Sequence, residues 1–291
     1  MQIVWVDNIR FYMKLSLITA CYNAEETIAS SVRSVLPQSC SCLEHLIIDG
    51  ASTDGTVDKV VKLLNAGRWE GIPQRSEIGG QRSINFKTYQ LNNRITRILS
   101  EKDSGMYDAM NKGIRMATGD VIGLLNSDDM LADSDVLRKI SQAFNDPSVE
   151  AVYGDLVYVD RDETSKVRRV WRSGIFTPRK LSRGWHPAHP TLYIRRSVYE
   201  KYGLFNLEYD SAADVEFMMR IFHRGVNVCY IPEVFVCMRT GGVSNRFSNL
   251  WKQNRNVLRG MRENGIPVSP FYWPVKITNR TTQLLRGSIA Q

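Results

Sequence analysis

Along the first 140 residues, short apolar runs alternate with stretches whose apolar positions recur every three or four residues. This is the pattern of a parallel α/β sheet with helical crossovers. Residues 14–20 (KLSLITA), 43–49 (LEHLIID), 94–101 (RITRILSE) and 121–126 (VIGLLN) are aliphatic or β-branched runs and are predicted strands. Helices are predicted over 24–36, where Ile28, Val32, Val35 and Leu36 share a face, and over 56–67, where Val57, Val60, Val61 and Leu64 do so and Gly67 is placed to end the helix. A third spans 107–119 with Met110, Ile114 and Ala117 inward, and a fourth spans 134–144, capped by Asp133 or Ser134. Residues 68–93 sustain no period and read as a long loop or insertion. From Val149 onward the signals are strand-like and less regular, with 166–174 expected to pair with 149–160 in a mixed sheet. A basic, helix-compatible segment follows at 248–264.

Composition narrows the class. With 291 residues and 43% hydrophobic residues the chain can build a substantial core. Its apolar runs fall short of the roughly 18 residues that span a bilayer, and the N-terminus lacks the pattern of a secretory signal, so neither is expected. Residues 1–12 read as a dispensable extension before the first strand. The five cysteines (Cys21, Cys40, Cys42, Cys229, Cys237) are odd in number and lack CxxC spacing, which argues against a disulfide framework or zinc site and fits a cytoplasmic protein. The net charge is +8, and residues 245–291 hold eight Lys or Arg against Glu263 alone. The expected organisation is therefore an extension at 1–12, an α/β unit at 13–244 with halves 13–130 and 131–244, and a basic helical segment at 245–291.

In a parallel sheet, ligands bind outside the carboxyl ends of the strands. Three such ends are polar here: CYN at 21–23, DGASTDGT at 49–56 and NSDD at 126–129. No GxGxxG follows the first strand and no GxxxxGK[ST] occurs, which disfavours a nicotinamide dehydrogenase or a P-loop enzyme. Aspartates converging on a diphosphate would repel it unless a divalent cation stood between them, and hard oxygen ligands suit Mg2+ or Mn2+. Taken singly, the NSDD and STDGT clusters read equally well as Asx turns that cap the next helix.

Together, the segments SLITACYNAEETIASSVRSVLPQS, LIIDGASTDGT, SEKDSGMYDAMNKGIRMATGDVIGLLNSDD, HPTLYIRRSVYEKYGLFN, SAADVEFMMRI and RTGGVS resemble the family 2 glycosyltransferases of the GT-A fold, in the family's order and across residues 13–244. DSGMYDAMNKGI with NSDD looks most like bacterial transferases that build exopolysaccharide or O-antigen repeat units. The resemblance implies a mixed, mostly parallel sheet flanked by helices, with a C-terminal helical extension. It also implies inverting transfer from a nucleotide-diphosphate sugar to a hydroxyl of a lipid-linked glycan.

The resemblance assigns sites residue by residue. Ala20, Tyr22, Asn23 and Asp49 fall where the family holds base and ribose, with Asp103 at a further nucleotide-side strand end. Where many members carry a second aspartate after Asp49, this chain has Gly50. Asn111 and Lys112 match a polar pair near the donor, and Arg239 with Gly241, Gly242 and Ser244 matches a segment that closes over it. The Asp-x-Asp metal motif reads Asn126-Ser127-Asp128, with Asp128 the expected ligand to Mg2+ or Mn2+ and Asp129 expected to orient the loop or a coordinated water, or to cap the turn. His189 matches a position near the metal or phosphates. Asp214 matches the base that takes the acceptor proton, Glu216 being its competitor two residues on, about 200° around the helix.

The basic tail interleaves its cations with Leu250, Trp251, Val257, Leu258, Phe271, Tyr272 and Trp273, a mixture suited to an anionic membrane surface. Peripheral attachment to the inner face of the cytoplasmic membrane is expected. No nucleic-acid motif appears, so nucleic acid is not an expected partner. Two other readings remain at this stage: a sugar-nucleotide or glycan-binding module of weak catalytic power, suggested by Asn126, and a sugar nucleotidyltransferase.

Overall fold

The computed structural model describes residues 13–72, 86–241 and 247–274 together with positions 278 and 282. The extension 1–12, Gly242 and Ser244, and the tail cations Arg246, Lys276, Arg280 and Arg286 lie outside the described residues, as do the side chains of Leu250 and Trp251.

The first half runs β1 (Leu15–Cys21), α1 (Ile28–Val35), β2 (Leu43–Asp49), α2 (Thr56–Ala66), β3 (Glu70–Ile72), β4 (Phe86–Leu91), β5 (Arg94–Ser100), α3 (Met106–Met116) and β6 (Val121–Leu124). The second runs β7 (Met130–Leu131), α4 (Val136–Ala143), β8 (Ala151–Val159), β9 (Val167–Trp171), α5 (Pro178–Leu181), a 3-10 turn (His189–Thr191), β10 (Tyr193–Arg195) and α6 (Arg196–Tyr202). A second 3-10 segment (Leu207–Ala212), α7 (Ala213–His223), β11 (Val228–Arg239) and α8 (Phe247–Glu263) complete it. The strands form one mixed sheet in the order β3-β4-β5-β2-β1-β6-β10-β8-β11-β7, with β9 beside β8.

The centre of this sheet is parallel: β1 pairs in parallel with both β2 and β6, and β2 with β5. β1 and β2 are buried at every position, which is why they read as near-continuous apolar runs. Their polar members are satisfied internally. Ser16 donates to Glu44 at 2.5 Å, and Glu44 also accepts from Arg97 and from the Thr118 N–H, each at 2.8 Å. His45 lies 3.0 Å from Thr19 through Nε2.

His45 gives a stability prediction. Burial lowers its pKa to about 4 from 6.5, so protonation favours the unfolded chain. Its contribution is intact above 6.5 and is lost as pH falls from there toward 4, roughly 3 kcal/mol in all. Urea unfolding across that range should show the loss, and His45→Gln should flatten it. An unchanged pH slope in the variant would show that another group is responsible.

Three local expectations are corrected. Residues 68–93 are not one loop: β3 and β4 pair antiparallel with each other and β4 with β5, extending the sheet at its edge. Helix α2 does stop at Gly67, but the left-handed residue is Arg68 (φ 58°), while Gly67 keeps φ −79°. Helix α4 begins after Asp135, which makes no side-chain cap, and Asp133 accepts instead from the Asp135 N–H. As expected, β9 pairs antiparallel with β8.

The second half packs α7 across the sheet, with Phe217, Met218 and Ile221 buried, and α8 against α7. Val257, Met261, Ile266 and Tyr272 join the same core cluster and Leu258 packs on it. Much of the apolar content expected to meet a membrane is therefore inside the protein. Two of the four cations of α8 are also engaged, Lys252 with Asp210 at 2.6 Å and Arg259 with Glu208 at 3.1 Å and Glu263 at 2.7 Å. Among the described residues no helix is long and apolar enough to cross a membrane.

Candidate active site

Because β1, β2, β5 and β6 are parallel, Cys21, Asp49, Ser100 and Leu124 end at one edge of the sheet, and the loops beyond them converge there. Several residues expected to meet a donor at this edge instead build it. Asp49 is fully buried and accepts from the Ser52 N–H at 3.0 Å, from Ser100 at 2.5 Å and from the Ser52 hydroxyl. Asn23, at φ 46°, accepts from the Thr53 N–H at 2.9 Å and so clamps the 51–56 loop. Asp54 is the Asx turn it resembles, taking the Thr56 N–H at 3.0 Å. Ala20 is buried within β1. That leaves Tyr22, 63% exposed, and Asp103. A Cβ added at Gly50 would lie 2.6 Å from Asp103 Oδ2, so the bare glycine is what admits this carboxylate, whose Oδ1 accepts from the Gly105 N–H at 2.9 Å.

The pair on α3 is also internal. Asn111 is buried, and its amide exchanges two hydrogen bonds with the backbone of Phe205, at 2.9 and 3.0 Å. Both ends of the amide are thereby engaged, and it holds Phe205 in place rather than facing a donor. Lys112 donates to the Lys102 carbonyl at 2.7 Å and pairs with Glu101 at 3.0 Å, which ties down the loop that carries Asp103.

In the loop after β6, Asp129 is the innermost group. It is fully buried, and burial followed by the neighbouring Asp128 charge pushes its carboxyl well above the usual carboxylate range. Asn126 donates to it from Nδ2 at 2.8 Å. Arg239, expected in a segment that closes over the donor, turns its guanidinium to the Asp128 carbonyl at 2.5 Å, Ser30 Oγ at 2.9 Å and the Arg161 carbonyl at 3.2 Å. It fastens the loop to α1 and β11. The Asp128 carboxylate itself, half-buried, has no cationic partner among the described residues. One open carboxylate is a hard oxygen donor of the kind that would suit Mg2+ or Mn2+, which commonly bind through one or two carboxylates. Among the described residues no three His, Cys, Asp or Glu are gathered closely enough to form a cage of their own.

A second wall forms around Asp214, which occupies the first turn of α7. Its Oδ2 lies 3.9 Å from His189 Nδ1, and its Oδ1, like His189 Nε2, is buried with no hydrogen-bond partner among the described residues. Burial lowers the His189 pKa, and the Asp214 charge opposes that shift. His189 thus stands with Asp214 and not as part of the 126–129 loop. Tyr107 lies beside Asp214, and burial together with that carboxylate pushes its phenol well above its ordinary range. Phe205 packs edge-on against His189, with ring centroids 5.6 Å apart, and at a tilt against Tyr107 at 5.5 Å. Glu216 points elsewhere, bonded to Arg220 at 3.0 Å and Asn264 at 3.2 Å.

A family model described as glycosyl transferase family 2 matches residues 16–227. The chain belongs to glycosyl transferase family 2. Among its relatives, a PGL/p-HBAD biosynthesis glycosyltransferase of Mycobacterium bovis (strain BCG / Pasteur 1173P2) is 28% identical over 234 residues, 79% of this chain and 78% of the relative. An uncharacterized glycosyltransferase of Mycobacterium tuberculosis (strain CDC 1551 / Oshkosh) is 30% identical over 208 residues, 71% of this chain and 68% of the relative. Among solved structures, the mannosyltransferase PcManGT from Pyrobaculum calidifontis, in complex with GDP-Man and Mn2+, superposes with a TM-score of 0.60 at 17% identity, covering 91% of this chain and 68% of that one. S. aureus TarS 1-349 in complex with UDP-GlcNAc gives 0.59 at 15% identity over 87% of this chain and 65% of that one. The chain spans 39% of the longer TarS chain, at a TM-score of 0.57. These likenesses establish the GT-A fold.

Two residues of this family 2 glycosyltransferase were not singled out by sequence, Tyr107 and Phe205. Tyr107 stands three, four and seven positions before Met110, Asn111 and Ile114, so its helical spacing reads as core. Its hydroxyl reaches Asp214 only because α3 and α7 converge around Phe205.

Proposed function

We propose that this family 2 glycosyltransferase moves a sugar from a nucleoside-diphosphate sugar, with inversion, onto a hydroxyl of a lipid-linked acceptor in bacterial surface polysaccharide assembly. The observation that carries the reading is Asp214: a carboxylate with an unpartnered buried oxygen, flanked by His189 and Tyr107. Such a group can take the acceptor proton as the hydroxyl attacks, and His189 holds it in place. Tyr22 offers a ring for the base to stack on, and Asp103 Oδ2 an acceptor for a base N–H. Asp128, assisted by Asn126, is the ligand for Mg2+ or Mn2+, which when bound supplies charge neutralisation at the leaving diphosphate. Arg239, Lys112, Asn111, Asn23 and Asp49 hold these groups in position. Similarity to proteins solved with GDP-Man and Mn2+ or with UDP-GlcNAc supports the donor class and the cation. The basic character of the chain supports work as a peripheral protein at the inner face of the cytoplasmic membrane.

A thermal-shift screen with UDP-, GDP- and dTDP-sugars should show stabilisation by one nucleotide class, strengthened by manganese. NMR of the product should then show the anomeric configuration opposite to the donor's. Retained configuration would overturn the role given to Asp214, and the absence of any donor response would overturn the donor class.

A further inference from the structure

With Val257, Leu258 and Tyr272 committed to the core, a different face of the protein carries membrane-like chemistry. Of the eight large hydrophobic side chains exposed among the described residues, four are Ile175 (70%), Val268 (48%), Phe271 (61%) and Trp273 (44%). They sit on two segments that pack together. The Ser269 N–H donates to the Ser182 carbonyl at 2.8 Å, and Lys180 donates to the Ile175 carbonyl. The Tyr272 ring lies so close over Gly184 that an added Cβ would meet it at 2.3 Å. Their charge is one-sided: residues 164–199 contain nine Lys or Arg and no acid, and residues 264–274 carry no charge at all. Within this stretch Arg168 pairs with Asp160 and Arg196 with Glu200, whereas Arg172, Arg179, Lys180 and Arg183 form no ion pair with a described acid.

We propose that the face built from residues 172–183 and 268–273 docks onto an anionic phospholipid surface. Phe271 and Trp273 match the headgroup boundary, where aromatic rings bury an apolar body. The cations beside them gain about 1 kcal/mol each near anionic lipid, roughly fivefold in affinity apiece. A second copy of the chain fits this face poorly, because a two-fold contact would set Arg179 and Arg183 against like charges. The face is coupled to the catalytic wall through α7: Phe176 and Trp185 pack on Phe222 with ring centroids 5.1 and 6.4 Å apart. Asp214 lies eight residues back along the same helix, about 12 Å at 1.5 Å per residue. Docking would therefore hold the base a short distance above the headgroups. That purpose rests on the lipid-linked acceptor proposed above; the docking itself does not.

The test is flotation of the full chain, without donor, acceptor or metal, on vesicles rich in phosphatidylglycerol and on pure phosphatidylcholine. The wild type should float on the former and weakly on the latter. The double variant Arg179→Glu/Arg183→Glu should lose at least about 25-fold in binding, two steps of fivefold. Phe271→Ser/Trp273→Ser should also release the protein, including at high salt, where the charge contribution is screened. All these side chains are at the surface, so donor-induced thermal stabilisation should be unchanged and serves as the folding control. Wild-type flotation retained by both variants would overturn the proposal. So would failure of the wild type to float combined with tight binding to a short single-stranded DNA, or with a dimer that Trp273→Ser dissolves. Loss of flotation beside intact transfer would leave the enzymatic reading standing, and flotation beside absent transfer the reverse.

Discussion

Asp214→Asn should lower turnover by about 10² to 10⁴ while leaving donor binding near normal. The substitution keeps the shape of the side chain and its place in the first turn of α7, so Tyr107 and Phe205 need not move. What it removes is an oxygen able to accept a proton. Oδ1 of Asp214 is buried without a partner, and a buried acceptor left unpaired is costly unless a ligand completes it. The acceptor hydroxyl is the ligand proposed to do so. His189 is the rival, since its Nε2 is likewise buried and unpaired and burial favours its neutral form. If Asp214 is the base and His189 its support, His189→Gln should cost less than Asp214→Asn, and the pair together little more than Asp214→Asn alone. Initial rates at saturating donor decide the matter: a larger loss from His189→Gln, or near-normal turnover by Asp214→Asn, would reassign the base.

The elements that frame this site were legible because burial imposes its own period on the sequence. β1 and β2 are buried at every position and read as apolar runs, while Ile28, Val32 and Val35 recur at helical spacing because one face of α1 is covered. The edge strands β3 and β4 were missed for the converse reason. At the sheet edge burial no longer enforces a pattern, and the surviving cue was local: Asn92 at φ 53° in the tight Asn92-Asn93 turn between β4 and β5. The site residues divide in a similar way. Motif position predicted which loops meet, but not which polar groups are used up on arrival. Asn111 is bound to a backbone 94 residues away, and Arg239 to Asp128 and Ser30, 111 and 209 residues away. Nothing near these residues in the chain records those partners. The tail divides again: Val257 and Tyr272 are buried while Phe271 and Trp273 are exposed, and an apolar stripe looks the same in sequence whichever of its members the core covers.

Asp128→Ala should abolish the part of donor binding that depends on a divalent cation. Asn126→Asp, although it restores the family's Asp-x-Asp, should not improve it. Asp128 is the half-buried carboxylate of the loop without a cationic partner among the described residues, so its removal takes away the strongest hard-oxygen ligand available. Even a residue that merely supports a metal ligand typically contributes about 10- to 100-fold, and the loss here should be at least that large. Asn126 is a different case. Its Nδ2 donates to Asp129, which is fully buried, so an aspartate at 126 would replace a donor with a second carboxylate against the first. The loop would then have to open or rearrange, losing the geometry that presents Asp128. Calorimetric titration of manganese and UDP separates the two effects. Asp128→Ala should bind UDP weakly and equally with or without manganese, in a protein of normal melting temperature. Asn126→Asp should bind poorly and also melt earlier, consistent with the roughly 1–3 kcal/mol cost of an unsatisfied buried polar group. Tighter manganese binding by Asn126→Asp at unchanged stability would show that the amide serves the cation and not Asp129.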